Sequence, residues 1–522
     1  MADAVTLDAM IHRDDFAVIG PPLNSAEPIR TLSIENVTSS GMLVPLLRKP
    51  DFQRETNHWS PYQVVTFLES FLDNELIPSL ILWQSQSYVF VIDGGHRLSA
   101  LRAWIEDDYG DGAISRKYFG NEISRSQLGI AKKTRELVNS RIGSYRDIKD
   151  ALVNPDVYTE DKVQRSRNMA TRSLSLQWVN GDAAKAESSF FKINTQGTPL
   201  DKTEETILKN RYRSVAIAAR SIVRAATGHK YWSKFELDVK DKIEKNAVLI
   251  HHALFNPEVD TPIKTLDLPV GGAKSPISAL EMLMGLICIT NAPQGKFQKS
   301  LEEFSEDEDG SGTVQVLIDC ARVVGRASDT LPGSLGLHPA VYFYSERGRH
   351  IPDLLLGMLL LIRKKLQEND KEFFRKFTDS RAILEDYLVE NKSLITQSLQ
   401  LSRSAVRFIR VSEMFEYLID AFYDKKEFSH EDLIKVISPN SVAKILAIAE
   451  KPTSTKFSTD AKSAIFIRQA LSSAIRCPIC HGYVDASKSG SYDHVVRVED
   501  GGGGSSGNGQ ITHPYCNTAV KC

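Results

Sequence analysis

Apolar and polar positions change rhythm along this chain, and the changes mark its elements. Residues 62–73 place Val64, Val65, Phe67, Leu68, Phe71 and Leu72 at helical spacing. Ser60 is a good N-cap, Pro61 suits the first helical position and Gln63 completes a capping box, so a helix is predicted there. Residues 80–83 and 88–92 read as two strands around a turn at 84–87. The second strand ends in Asp93-Gly94-Gly95-His96-Arg97, and Leu98, Leu101 and Trp104 carry a helix onward. Asp201 and Glu204 form another capping box, opening a helix expected to run to about Ala226. Helical spacing recurs over 277–289, 314–324, 354–366, 382–390 and 408–422. It breaks at 257–274 and in the acidic stretch 302–312, which reads as a solvated connection rather than a cation site. Residues 1–45 look like a loosely built lead-in, 451–460 like a linker, and 461–475 like a short helix leading into the last segment.

Composition sharpens this in three ways. A chain of 522 residues has room for about three domains, and 42% hydrophobic with 25% charged residues is ordinary globular usage. The formal net charge of −2 means that any nucleic-acid surface is local rather than global. The most apolar run, 354–362, is too short for a bilayer and ends in Arg363-Lys364-Lys365, so no membrane partner is expected. The acidic start lacks the pattern of a signal peptide. Cys288 and Cys320 sit among apolar residues, and three of the six cysteines cluster near the end, so the expectation is a cytoplasmic protein without a disulfide framework.

The segment 477–522 concentrates the chemistry. Cys477-Pro-Ile-Cys480 and His513-Pro-Tyr-Cys516 are two knuckles, each able to grip one face of a tetrahedral ion, and together they make a Cys₃His set of the structural-zinc type. The alternatives are a redox CxxC and unrelated cysteines. So glycine-rich a segment has little core, and a metal would supply much of its folding free energy. Between the knuckles lie Asp493, His494 and Asn508, with Asn517 just beyond. A neutral imidazole can take a proton from water near neutral pH, which makes His494 the candidate general base. Asp493 and Asn517 offer hard oxygen ligands for a catalytic Mg²⁺ or Mn²⁺, and Asn508 is expected to brace the adjoining loop. The alternative is a zinc finger that binds DNA without cutting it.

This arrangement resembles the HNH nuclease family. Its zinc-bound branch runs Asp-His, a glycine-rich loop, Asn, then a second knuckle followed by Asn; here His513 stands where a cysteine is usual. The resemblance implies a ββα-metal finger that hydrolyses double-stranded DNA. Its helix is expected to be brief and to lean on zinc or a neighbour.

Three clusters in the first half carry a second resemblance: Gln53-Arg54; Asp93-Gly94-Gly95-His96-Arg97; and Phe191 with Asn194, Gly197 and Leu200. A strand, a glycine turn and a helix can point free N–H groups at an anion, and Arg97 can add a bidentate contact; a plain tight connection is the alternative. Jointly the clusters are similar to the GmrS half of GmrSD-type restriction systems, with a ParB/sulfiredoxin-like fold. That resemblance implies a sensor that binds a nucleoside triphosphate and gates a nuclease, with Gln53, Arg54, Asp93, Gly94, Gly95, His96, Arg97 and Asn194 as the contacting residues. Gly95-His96 replaces the family's usual Gln-Gln, which favours nucleotide binding over hydrolysis, with a turn that grips DNA phosphate as the alternative. Lys209, Arg211, Arg213, Arg220 and Arg224 on the following helix are read as a solvated basic face.

The expected architecture is α+β and multidomain. A lead-in over 1–45 precedes a ParB/sulfiredoxin-like α/β domain over 46–215. A mainly helical middle over 216–455, either a spacer or a coupling element, leads to an HNH finger over 456–522. The expected partners are DNA and a nucleotide, with self-association as a homo-oligomer left open.

Overall fold

A computed structural model describes residues 4–16, 28–53, 58–120, 122–196 (194–196 by backbone alone), 202–272, 279–439 and 456–520. The chain forms two compact units: Met1–Arg211 with Thr227–Lys234, and Tyr212–Ala226 with Phe235–Cys522.

The first unit is built on a six-stranded sheet. Its strands are β1 (Arg13–Asp14), β2 (Thr31–Ser33), β3 (Leu47–Pro50), β4 (Leu80–Gln84), β5 (Val89–Asp93) and β6 (Ser173–Trp178), in the order β1-β3-β5-β4-β6-β2. Pairing is parallel for β1–β3, β3–β5 and β4–β6, and antiparallel for β4–β5 and β2–β6. The β4–β5 turn is closed by Ser85, whose N–H donates to the Tyr88 carbonyl at 2.8 Å and whose Oγ accepts from the Tyr88 N–H at 2.9 Å. The helices are α1 (Pro61–Leu72), α2 (Gly95–Glu106), α3 (Ala113–Phe119), α4 (Arg125–Arg141), α5 (Tyr145–Val153), α6 (Glu160–Thr171), α7 (Ala183–Gln196) and α8 (Lys202–Lys209). The Ser60–Gln63 capping box of α1 forms as its residues predict.

Strand alternation divides the side chains between two cores. Leu80, Leu82 and Val91 join Val64, Leu68 and Phe71 of α1 and Leu98 and Leu101 of α2. Trp83, Phe90 and Ile92 join Phe16, Phe52 and Phe190 in an aromatic cluster. Each such side chain, fully buried, contributes about 1.5–3 kcal/mol.

Several expectations need correction. The described residues of 1–45 are not loosely built: they supply β1 and β2, and Val5, Leu7, Met10 and Ile11 are buried. Their anchor is Asp8, buried against Lys49 at 2.5 Å, Arg13 at 3.0 Å and the Tyr118 hydroxyl at 3.0 Å. A buried carboxylate whose partners lie far along the chain reads as loop in any local pattern. The helix expected from 201 to 226 is instead α8 and α9 (Ser214–Val223). It breaks where Arg213 takes extended backbone and bridges Glu306. Its basic residues are not all on a solvated face. Arg211 pairs with Glu187 at 3.0 Å and approaches Asp51 at 3.6 Å, while the Arg213 guanidinium donates to the Glu302 carbonyl at 3.1 Å. Asp201, the expected cap, lies outside the described residues.

The described residues of the second unit form helices and one hairpin. After α9 come α10 (Leu237–Phe255), α11 (Leu280–Thr290), α12 (Ser311–Ala327), α13 (Pro339–Tyr342), α14 (Pro352–Gln367), α15 (Lys371–Glu390), α16 (Lys392–Leu401), α17 (Arg407–Tyr423), α18 (His430–Ile437) and α19 (Thr459–Ser472). The hairpin strands are β7 (Ser491–His494) and β8 (Gly509–Thr512). The acidic stretch before α12 is more than a solvated connection. Asp307 is buried and its carboxylate accepts from the N–H groups of Gly310 and Thr313 at 3.0 and 2.7 Å, capping the helix. Among the described residues, no helix is long and apolar enough to cross a membrane.

Candidate metal centre and glycine turn

At the end of β5 the backbone turns at Gly94, whose φ of 91° suits glycine, and α2 starts at Gly95. A β-carbon on Gly94 would also strike Leu80, and one on Gly95 would lie 3.4 Å from the Gln53 Oε1. Gln53 reaches this turn from the residues after β3, and its Nε2 donates to the carbonyls of Val91 and Ile92 at 3.2 and 3.3 Å. Arg97 donates to Asp93 at 2.6 Å, to the Ser79 carbonyl at 3.4 Å and to the Pro78 carbonyl. The guanidinium thus braces the turn itself. The fold brings Gln53, Asp93, Gly94, Gly95, His96 and Arg97 together. Arg54 and the side chain of Asn194 lie outside the described residues.

Three neighbours were not visible as site residues in the sequence. The Trp59 ring stacks on His96 with centroids 5.7 Å apart and planes 25° apart. His58 Nε2 lies 2.8 Å from Glu204 Oε1, tying the start of α1 to α8. The only local hint was His58-Trp59 just before the helix cap.

In the second unit, Cys477, Cys480, His513 and Cys516 are all buried, and one ligand atom from each lies within 4.8 Å of every other. The His513 Nδ1 is 3.3 Å from Cys480 Sγ and 3.8 Å from Cys516 Sγ. A tetrahedral ion with metal–sulfur bonds of about 2.3 Å needs ligands at about this spacing. The other ring nitrogen, Nε2, lies 2.9 Å from the Tyr483 carbonyl. With the proton there, Nδ1 presents its lone pair to the sulfurs. Burial lowers the His513 pKa, which keeps the imidazole neutral. Hydrogen bonds from Cys480 and Cys516 drive the Cys477 thiol down, so a thiolate is favoured there. The donor set and spacing can therefore hold a metal ion.

The hairpin stands over this cluster. Asp493 pairs with Gln510 and His494 with Gly509 in the antiparallel register. Asp493 is buried and accepts from the Gln510 side chain at 2.8 Å; His494, the last residue of β7, is half-buried. Asn508 braces the loop between the strands: its Oδ1 accepts from the Val496 N–H at 2.7 Å, and its Nδ2 donates to the carbonyls of Val496 and Gly503 at 3.0 and 2.9 Å. After His513 the chain makes a single turn, Cys516–Val520, in which Asn517 Nδ2 donates to Ser491 Oγ at 2.9 Å and to the Tyr492 carbonyl at 3.3 Å. The hairpin, the turn after it and the Cys₃His cluster form one assembly. Asp493 bonds across to β8 through Gln510, whereas Asn517 bonds to β7 through Ser491 and Tyr492.

Residues 34–213 match the family model of the GmrSD restriction endonuclease, N-terminal domain. The matched region contains the Gln53 segment, β5 with its Gly94-Gly95 turn, and α7. Comparison with curated proteins and with solved structures finds no match to the chain. The likeness to a restriction endonuclease thus rests on the first unit, whereas the metal cluster and hairpin are described by their geometry alone.

Proposed function

We propose that this protein is a metal-dependent DNA endonuclease of restriction type, in which an HNH-like finger cuts under control of the GmrSD-like domain. The observation that carries this reading is the Cys₃His cluster beneath a hairpin bearing Asp493 and His494, on the same chain as a domain matching a restriction endonuclease family. Zinc is the ion best suited to three thiols and an imidazole, in a structural role. His494 draws a proton from the attacking water. Asp493 and Asn517 supply the oxygen ligands of a catalytic Mg²⁺ or Mn²⁺, which when bound polarises the scissile phosphate. Asn508 keeps the loop after His494 in register with β8.

The first unit is read as the sensor, with the first-turn amides of α2 facing a phosphate group of a nucleoside triphosphate. Modified or foreign double-stranded DNA is the proposed substrate. The deciding test is DNA cleavage with Mg²⁺ by wild type and His494→Ala. Loss of about 10²–10⁴ in rate with zinc content and DNA binding retained is expected. Equal cutting removes His494 from the mechanism, and wild-type binding without cutting makes the finger a DNA-binding element only.

A further inference from the structure

Helix α15 carries an arginine and a glutamate where its stripe should be apolar. Arg381 and Glu385 are spaced i, i+4, are 1% and 0% exposed, and meet at 2.7 Å between Nε and Oε1. Burying such a pair carries a desolvation cost that is offset only when the remaining polar atoms find partners. Here they do. Arg381 donates through Nη1 to the Leu335 carbonyl at 2.6 Å and through Nη2 to the Gly336 carbonyl at 2.9 Å. Glu385 Oε1 also accepts from the Tyr342 hydroxyl at 2.9 Å.

The last partner leads to the metal cluster. Glu385 Oε2 accepts from the backbone N–H of Tyr483, and the carbonyl of the same residue receives the His513 Nε2 at 2.9 Å. The first knuckle lies directly on the guanidinium: a β-carbon on Gly482 would sit 2.6 Å from Arg381 Nε. The segment that Arg381 holds also touches the ligand, because a β-carbon on Gly336 would sit 3.0 Å from His513 Cδ2.

From this geometry we infer that Arg381 and Glu385 are positioning residues for the Cys₃His centre, fixing the tautomer and ring orientation of His513 through Tyr483. The inference rests on the reading of the cluster as a metal site. Arg381 pairs with Glu385 and aims it, Glu385 holds the Tyr483 amide, and the Tyr483 carbonyl holds the His513 proton on Nε2. Outer partners of this kind govern how tightly a metal is held. It follows that the metal is held jointly by the two knuckles and by α15.

The test uses the full chain loaded with Zn²⁺, and separately with Co²⁺. Glu385→Gln, which keeps the side-chain volume, and Arg381→Met are each expected to release Zn²⁺ to a chromogenic chelator about 10- to 100-fold faster. Both are expected to shift the visible d–d bands of the Co²⁺ form, and Arg381→Lys to restore part of the loss. The control is Arg363→Met. That arginine is also buried in the second unit, but it donates to the carbonyls of Ala292, Pro293, Lys296 and Phe297. It should leave release rate and spectrum unchanged even if the unit is destabilised. Should Arg381→Met fail to fold, Glu385→Gln decides. Wild-type release and spectrum in Glu385→Gln, or an equal effect in Arg363→Met, overturns the inference. Failure of the wild type to bind either ion would instead overturn the metal-site reading on which it stands.

Discussion

The glycine turn of the first unit and the cysteine cluster of the second both shape a short segment beside a strand, but by opposite means. At the turn, protein groups do all the fastening. Arg97 ties Asp93 to the Ser79 carbonyl, and Gln53 plugs the carbonyls at the end of β5. At the cluster, three sulfurs and an imidazole crowd within 4.8 Å, an arrangement that a cation would complete. Rigidity built from hydrogen bonds and rigidity borrowed from an ion have different vulnerabilities, and each can be attacked without touching the other.

The largest effect is expected from Cys480→Ser. Metal content should fall from one zinc per chain to none, and amide exchange across 476–516 should rise sharply, because metal binding in such a segment is folding free energy. Exchange in β3 to β5 should stay at the wild-type level; if it rises too, the two sites are not independent. The converse change is Gly94→Ala. It forces a side chain onto a φ of 91° and into Leu80, at a cost of about 1–3 kcal/mol. Urea unfolding should show that loss in the first unit, with zinc retained in full.

The smallest effect separates the units by acid. His338 is buried at the start of α13, where its Nδ1 accepts from the Ala340 N–H at 3.2 Å. Burial pushes its pKa down to about 4, against the opposing pull of Asp485 and Glu385. The unfolded imidazole titrates near ~6.5, so the unfolded chain takes up the proton first. Stability of the second unit should therefore be full above that value and decline as pH falls toward 4. His338→Asn retains a capping oxygen, so its urea midpoint should change less between pH 7 and pH 5 than that of the wild type.

How much of this was legible varies with how local the cause is. Helix α1 was readable because its cap, its proline and its apolar stripe fall within one short window. The β4–β5 hairpin and the two knuckles at 477–480 and 513–516 were readable for the same reason, since each pattern lies within a few residues. The first strands were hidden because Asp8 makes sense only beside Lys49 and Arg13. The break before α9 was hidden because it is imposed by Glu306, far along the chain. Arg381 and Glu385 carry the i, i+4 spacing of an ordinary surface pair on a helix, and that spacing alone does not mark them as buried. The one signal against that reading was their place on the stripe of Phe377, Leu384 and Leu388, all of them buried.

The chain does not finish one unit before beginning the other. Having reached Arg211 it contributes 212–226 to the second unit, and residues 227–234 then belong to the first again. That returning piece is fastened there: the Gly228 N–H donates to the Tyr118 carbonyl at 3.1 Å, and His229 lies 3.5 Å from Asp15. A first unit truncated at Arg211 would therefore lack part of its own surface and leave Tyr118 without that donor. Exchanging this unit between related proteins requires moving two separated stretches of sequence, and a single crossover between 211 and 227 would divide it.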